Sequence, residues 1–292
     1  MVRPTQILPE IKSRARDAAK NVTWGMFPAK NDEKQFLLVF GCQRSGTTML
    51  LDCLDRDFRA KVFHEYSALS QLDETETNNR IRLRKTEEVR KLVSECPFPL
   101  IISKPIVESH RAAQLLASFN GSKAIWIYRN YRDSVNSHVN KFKTQHYNLQ
   151  SLLEKRKSNW RSEGVSDEIV STIKPYCKPN LSAADAQALM WYARNMLYFE
   201  QDLSKLPSVM LIDYDEICRF PESGFRLLYA FLGLPYPRSS VTAAMSTKSI
   251  GLGANLNLSP PIAELCEDLM NRFEQLRISR ENAQAKQHPT LF

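Results

Sequence analysis

The sequence predicts a three-layer α/β fold with a mainly parallel sheet. Two observations support this prediction. Short apolar runs alternate with longer stretches of helical periodicity, which is typical of parallel strands joined by helices. The first apolar run ends at a glycine, and a second glycine follows five residues later, just before a helical pattern. The chain has 292 residues, which is enough for one large domain with an insertion.

Five apolar runs predict the strands, and they lie at residues 36–40, 60–63, 100–102, 123–128 and 209–212. Continuous apolar runs of this length are typical of strands that are buried on both faces. Helical spacing of apolar residues predicts the helices, at 48–54, 110–119, 130–142, 183–203, 222–232 and 260–277. Asn130 and Asp133 have the spacing of a capping box at the start of one of these helices.

Two segments within the domain do not fit the alternation, and the first 35 residues precede it. Residues 73–91 are polar, and their cluster of Arg80, Arg82, Arg84 and Lys85 predicts a solvated helix face. Residues 144–182 are rich in Lys, Ser and Pro and predict an irregular insertion or lid, which contains Trp160 and Tyr176. We therefore divide the chain into a basic N-terminal extension, residues 1–35, and a domain over residues 36–292.

The N-terminal extension has apolar residues at helical spacing, namely Ile7, Ile11, Ala15, Ala18 and Val22, with basic residues between them. Two interpretations stay open. The segment is either a helix docked on the domain or one that makes peripheral contact with a membrane surface. No apolar run is long enough for a spanning helix or a signal peptide, so we expect a cytoplasmic protein.

The net charge and the spacing of the cysteines limit which classes of ligand the protein is expected to bind. The net charge of +8 suits an anionic ligand such as a nucleotide. The basic residues are dispersed and form no nucleic-acid-binding module, so we expect no nucleic-acid partner. The six cysteines include no C-x-x-C pair, and none lies at metal-ligand spacing with a histidine, so we expect no metal site. The oligomeric state is not predicted.

The loop after the first strand reads G-C-Q-R-S-G-T-T over residues 41–48. Its glycines have the spacing of G-x-x-x-x-G-K-[ST], so it is a P-loop-type phosphate-binding loop. Backbone N–H groups of such a loop and the positive end of the next helix bind phosphate oxygens. Thr47 stands where nucleotide triphosphatases have lysine, and Arg44 supplies a cation from inside the loop. The residues expected to bind phosphate are Gln43, Arg44, Ser45, Gly46, Thr47 and Thr48.

Polar residues also follow three other predicted strands. His64 and Glu65 follow the second strand, Lys104 follows the third and Arg129 follows the fourth. Ligands of open α/β sheets bind beyond the carboxyl ends of the strands, where these residues are expected to meet the phosphate loop.

These motifs resemble the sulfotransferase family. The Q-R-S-G-T-T run is similar to the family's 5′-phosphosulfate loop, and Arg129 with Ser137, eight residues later, is similar to its 3′-phosphate signature. The resemblance spans about residues 36–235. It implies that the co-substrate is PAPS (3′-phosphoadenosine 5′-phosphosulfate), used without a metal, and that Arg129 and Ser137 bind its 3′-phosphate. It also implies that a late loop with Ser246 and Lys248 closes over that phosphate.

The resemblance leaves two candidates for the catalytic base. Cytosolic members carry a histidine two residues after a lysine; here Lys104 matches the lysine, but Ile106 occupies the histidine position. The tyrosylprotein enzymes instead have a glutamate twenty-one residues beyond the loop arginine, which corresponds to Glu65 here. His64 is the competing base, and Lys104 and Arg44 would stabilise the charge of the transition state. The expected acceptor is a hydroxyl group of a glycan, glycolipid, phenol or other hydroxyl compound.

Two other functions remain open at this stage. A P-loop kinase would use ATP, with Asp213 or Asp215 after the last strand as its magnesium-binding acid. A non-catalytic protein would bind nucleotides or polyanions through the same basic residues. The missing loop lysine argues against the first, and the presence of Arg44, Lys104 and Glu65 argues against the second.

Overall fold

The computed structural model describes residues 16–73, 80–155, 159–238 and 240–287, and its centre is a five-stranded parallel sheet. The strands lie in the order β2-β5-β1-β6-β7, with the bounds β1 Gln35–Gly41, β2 Ala60–Phe63, β5 Leu100–Ser103, β6 Lys123–Tyr128 and β7 Val209–Asp213. All neighbouring pairs are parallel. The predicted strands are therefore all present, and the predicted fold class is confirmed.

Helices cover both faces of the sheet, because alternate strand residues face opposite ways. Leu37 and Val39 of β1 pack with helices α2 (Thr47–Leu54), α9 (Tyr214–Arg219) and α10 (Pro221–Leu232). Leu38 and Phe40 face the other layer. The helices of that layer are α3 (Thr86–Glu95), α4 (Ala112–Ser118), α5 (Tyr131–Lys141), α6 (Gln145–Leu153), α7 (Asp167–Ile173), α8 (Ala183–Glu200) and α11 (Pro260–Gln287).

Residues 73–91, which were predicted to form a solvated helix face, have a different secondary structure. The segment begins with an antiparallel hairpin, β3 (Ser70–Asp73) and β4 (Arg80–Leu83), and only then enters α3. Arg82 of the hairpin is not solvated but contacts carboxylates from three segments. β3 reads S-Q-L-D and has no apolar alternation, and β4 reads R-I-R-L, an alternation of only four residues inside a run of charged ones. A pattern this short was outweighed by the cluster of basic residues.

The segment predicted as irregular, residues 144–182, is also different. It contains α6 and α7, with one short 3-10 turn at Trp160–Ser162 before α7 and another at Lys174–Tyr176 after it. Leu149, Leu152 and Ile169 are buried in the core. Both helices pack against α8. The prediction was wrong because helices of two turns give too few repeats for their periodicity to stand out among the surrounding Lys and Ser residues.

Within the N-terminal extension, residues 16–26 are helical (α1) and dock on the domain. The Lys20 ammonium donates to the Asp55 carbonyl at 2.9 Å, and the Trp24 indole donates to the Phe58 carbonyl at 2.8 Å. The predicted helical positions Ile7, Ile11 and Ala15 lie outside the described residues. Within the described ranges, no helix is both long enough and apolar enough to pass through a bilayer.

Candidate active site

The phosphate loop fits tightly between its neighbours because both of its glycines approach other groups closely. Gly41 has φ 143°, and a Cβ there would lie 2.3 Å from the Ile127 carbonyl oxygen. Gly46 has φ 87°, and its Cβ would lie 1.9 Å from the Tyr214 ring. The helix α2 begins directly after Gly46, so its free N–H groups face the space above the loop.

Two side chains of the loop, Arg44 and Ser45, make this space favourable for an anion. Arg44 has a left-handed backbone, with φ 68°, and its guanidinium donates to Ser137 Oγ at 3.0 and 2.8 Å. Burial lowers the pKa of Arg44, and the nearby charge of Arg129 lowers it further. The Ser45 hydroxyl is fully buried and has no hydrogen-bond partner among the described residues. A ligand with anionic oxygens would offset both the crowded cations and the unpaired hydroxyl.

Arg129 ends β6 and is buried, with 5 % of its surface exposed. Its guanidinium stacks on the Tyr214 ring at 4.7 Å and donates to the backbone carbonyls of Arg44, at 3.4 Å, and Ser249. Asp133 and Asp215 lie 3.8 and 3.9 Å away, too far for hydrogen bonds. The Nε group has no hydrogen-bond partner in the described part of the chain, so the guanidinium retains a free donor.

The loop over residues 246–253 lies beside Arg129, where the late loop of the family was expected. Asp133 holds it by accepting from the N–H groups of Gly251 at 2.7 Å and Gly253 at 2.6 Å. This contact also corrects the predicted capping box, since Asn130 caps its helix and Asp133 turns to the loop. Of the predicted loop residues, Ser246 is half-buried and Lys248 is exposed.

The two acidic residues after β7 differ in their contacts. Asp213 caps α9 by accepting from the N–H groups of Asp215 and Glu216. Burial raises the pKa of Asp215 to about 6, and the neighbouring Asp213 contributes to the rise. Asp213 is thus committed to a helix start. Asp215 lies 3.9 Å from Arg129 Nε, and its Oδ1 atom has no hydrogen-bond partner in the described part of the chain. The structure therefore argues against Asp213, but not against Asp215, as the magnesium-binding acid of the kinase hypothesis.

Lys104 lies between the phosphate loop and the proposed base. Its ammonium is 2.9 Å from Glu65 Oε1 and donates to Thr48 Oγ1 at 3.4 Å. The three groups come from different strand ends, which the sheet order places side by side. His64 is exposed, and it has no hydrogen bond or ion pair with Lys104 in the described part of the chain. The structure therefore brings Glu65, and not His64, to the lysine.

A cleft of about 650 Å³ opens beside Lys104 and Glu65. We call it the acceptor cleft. Its walls come from the hairpin, residues 103–108, the start of α6 and residues 159–161, and they include Gln43, Ile81, Arg82, Leu83, Phe142, Tyr147 and Trp160. Of the two aromatic residues expected on the acceptor side, Trp160 lines this cleft and Tyr176 is not among its lining residues.

Several residues of the site were not found from the sequence. Arg161 donates to the Gln43 side chain at 3.1 Å and stacks on Trp160 at 4.5 Å, which ties the cleft wall to the phosphate loop. Tyr214 supports Gly46 and Arg129. The sequence offered one signal for Tyr214, its position directly after a strand end. It offered none for Arg161.

Comparisons with known proteins show the family of the chain. A family model described as a sulfotransferase domain matches residues 34–250. The sulfotransferase domain from the curacin biosynthetic pathway aligns with a TM-score of 0.50 at 12 % identity, over 82 % of this chain and 98 % of that one. A sulfotransferase from Alicyclobacillus acidocaldarius gives 0.46 at 15 % identity, over 82 % and 91 %. A mouse sulfotransferase complexed with PAP gives 0.41 at 16 % identity, over 82 % and 72 %. No curated protein sequence matches the chain.

Proposed function

The chain belongs to the sulfotransferase domain family, and on that premise we propose that it transfers a sulfuryl group from PAPS to an acceptor hydroxyl by in-line displacement without a metal. One observation carries the proposal. The Lys104 ammonium contacts both the phosphate loop, through Thr48, and the candidate base Glu65. A cation at this junction lies where a transferring anionic group would meet the acceptor.

The residues of the donor side fit the two phosphate positions of PAPS. The unpartnered Ser45 hydroxyl and the N-terminus of α2 support binding of the 5′-phosphosulfate by residues 43–48. The free Nε donor of Arg129, with Ser137 close to the loop, supports binding of the 3′-phosphate. Ser246 and Lys248 are the proposed residues of the loop that covers it.

PAPS would supply an activated sulfuryl group attached to a phosphate leaving group. The chain's own residues then have three tasks. Glu65 accepts the proton of the acceptor hydroxyl, since its carboxylate reaches the cleft with 44 % of the side chain exposed. Arg44, within the loop, and Lys104, beside Thr48, provide positive charge to the transferring group. The closely packed loop fixes the position of the leaving group.

The first test is transfer of labelled sulfate from PAPS in the presence of a chelator. Transfer that persists without metal supports the proposal, and consumption of ATP that depends on Mg²⁺ would instead support a kinase. Glu65→Gln should lower kcat by about 100-fold, as is typical for loss of a general base. His64→Ala is the matched control and should retain activity. Equal activity of both variants and the wild type would contradict the assignment of the base.

The second test measures binding of PAP, the desulfated product of PAPS. Arg129→Lys keeps a positive charge beside Asp133 and Asp215 but removes the planar donor set. It should weaken PAP binding by about tenfold or more, since a hydrogen bond to a charged group contributes about 1.5–3 kcal/mol. Unchanged affinity would rule out the proposed 3′-phosphate site.

A further inference from the structure

Arg194, in the middle of α8, is a buried cation whose guanidinium lacks a hydrogen-bonding partner. Only 4 % of the residue is exposed. Its Nη1 and Nη2 groups donate to no atom of the described residues, and no described carboxylate forms an ion pair with it. Its one close contact is the Trp160 ring, 5.1 Å from the guanidinium carbon. Burial of a charge without a partner is costly, so this group requires an explanation.

No described neighbour neutralises this charge by contact. Burial lowers the pKa of Arg194 to about 10, so the guanidinium stays protonated at neutral pH. Burial also raises the pKa of the Cys42 thiol to about 11, although the charge of Arg194 opposes the rise, so the thiol is neutral. Glu163 acts on Arg194 from a distance, but its carboxylate contacts Arg82 and lies 3.4 Å from His110.

A small cavity lies beside Arg194, behind the first residues of the phosphate loop. Its lining includes Cys42, Gln43, His138 and Arg161, and it contains no acidic residue. The space for the centre of a water-sized sphere is about 10 Å³. This is about what one water molecule, or an ion of similar size, needs. Gln43 and Arg161 are half-buried and also line the acceptor cleft, so the cavity adjoins the cleft.

His138 brings a further donor to the cavity and no negative charge. Burial lowers its pKa to about 4, and the charges of Arg161 and Arg44 contribute, so the ring is neutral at pH 7. The Gln145 amide nitrogen lies 3.4 Å from Nδ1 of this ring. Because an amide nitrogen only donates, Nδ1 accepts and Nε2 carries the ring proton. The cavity therefore combines N–H donors and positive charge.

We propose that this cavity binds a small monovalent inorganic anion, chloride or an ion of its size, held by Nη1 and Nη2 of Arg194. A water molecule would satisfy the N–H groups but leave the buried charge uncompensated, whereas an anion does both. The site is separate from the two proposed phosphate positions, because its cation comes from α8. The bound ion would join α8 to Cys42 and Gln43 and so stabilise the backbone of the phosphate loop.

The first test is thermal unfolding of the full chain while sodium chloride replaces sodium gluconate at constant ionic strength. Gluconate is too large for the cavity. At a chloride concentration about ten times its Kd, the unfolding equilibrium constant should fall about tenfold, because the ion binds only the folded chain. For a chain of this size, Tm should rise by about 2–4 °C and then level off. Equal Tm values in the two salts would overturn the inference.

A pair of variants locates the ion. Arg194→Met removes the buried charge and keeps a side chain of similar length, so its Tm should be the same in both salts. In gluconate its Tm should equal or exceed that of the wild type, since the uncompensated charge is gone. Arg44→Met removes a cation of the phosphate loop instead and should keep the full chloride effect. The reverse pattern would place the ion in the phosphate loop and contradict the inference.

Crystallography supplies a readout that does not depend on the folding of any variant. Chloride scatters anomalously at long wavelengths, and water does not. Crystals of the wild type grown in sodium chloride should show an anomalous peak within hydrogen-bond distance of Arg194 Nη1 and Nη2. A water molecule or an empty cavity at that position would overturn the inference.

Discussion

The donor side and the acceptor side of the site are built in different ways. The donor side uses two short windows, residues 41–48 and 129–137, and both follow directly from strands of the central sheet. The acceptor cleft combines side chains from the hairpin, residues 103–108, α6 and residues 159–161. In the proposed function, binding of phosphate would depend on backbone geometry that is local in sequence. Selection of the acceptor would depend on contacts between segments that are distant in sequence.

The largest effect is expected where the two sides join. Lys104→Met should lower kcat/KM for sulfuryl transfer by about 100- to 1,000-fold, as expected when one group that stabilises transition-state charge is removed. The affinity for PAP should change much less, because the lysine contacts the loop only through Thr48. Lys91→Met on α3 is the control, since its side chain is 74 % exposed. Equal losses in transfer and in PAP binding would place Lys104 on the donor side instead.

The second-largest effect is expected in the phosphate loop. It tests whether stability and PAP binding depend on the close approach of Gly46 to the Tyr214 ring. Gly46→Ala places a methyl group on the Tyr214 ring and should both destabilise the fold and weaken PAP binding. Gly121→Ala is a matched control, since Gly121 also has a positive φ, 74°, but has nothing within 4 Å of an added Cβ. Gly121→Ala should lower the free energy of unfolding only by the backbone strain, about 1–2 kcal/mol. Thermal unfolding and calorimetry check both, and equal costs would mean that the Tyr214 contact is unimportant.

A smaller effect is expected in the acceptor cleft. Tyr147→Ala removes a half-exposed ring from the wall and should raise the KM of a neutral acceptor by about fivefold, in line with the loss of part of its apolar contact. The KM of PAPS should stay unchanged. Phe220→Ala, at a residue 61 % exposed and outside the cleft lining, is the control. A change in the KM of PAPS alone would contradict the proposal that Tyr147 belongs to the acceptor side.

The smallest effect concerns pH. Burial raises the pKa of Asp215 to about 6, with Asp213 and Asp133 raising it and Arg129 and Arg219 lowering it. Below pH 6 the Asp215 carboxyl is mostly protonated and attracts the Arg129 guanidinium less, so the affinity for the donor nucleotide is higher. As the pH rises through 6, the carboxyl ionises and this increase in affinity is lost.

Asp215→Asn removes this titration. The ratio of PAP affinities between the variant and the wild type should therefore rise by about threefold from pH 5.5 to 7.5, since a weak charge pair is worth under 1 kcal/mol. Titration of the phosphate itself cancels in the ratio. Asp268→Asn, at an exposed position of α11, should give a constant ratio. A constant ratio for Asp215→Asn would show that this carboxyl does not act on Arg129.

The same contrast explains what the sequence could predict. The five strands and the loop glycines were found because each leaves a contiguous pattern, an apolar run or a fixed spacing. The meeting of Glu65 with Lys104 was expected because both residues follow the carboxyl ends of predicted parallel strands, which share one edge of the sheet. The contacts of Arg82 and Arg161 left no pattern, since their partners lie far away in the chain. Asp133 was assigned a cap because that role is local, whereas its true partners are 118 and 120 residues later.

Asp133 contacts residues that are 118 and 120 positions later in the chain, and this affects the order in which the site forms during synthesis. The phosphate loop and Arg129 leave the ribosome early, and the last strand of the sheet ends at Asp213. The segment that Asp133 holds, with the Ser249 carbonyl that Arg129 uses, is synthesised after the whole sheet. A nascent chain thus carries a nearly complete sheet before its donor site is closed. The loop over residues 246–253 is therefore the last part of the proposed donor site to be synthesised, and it can reach Arg129 and Asp133 only after the strands of the sheet have been made.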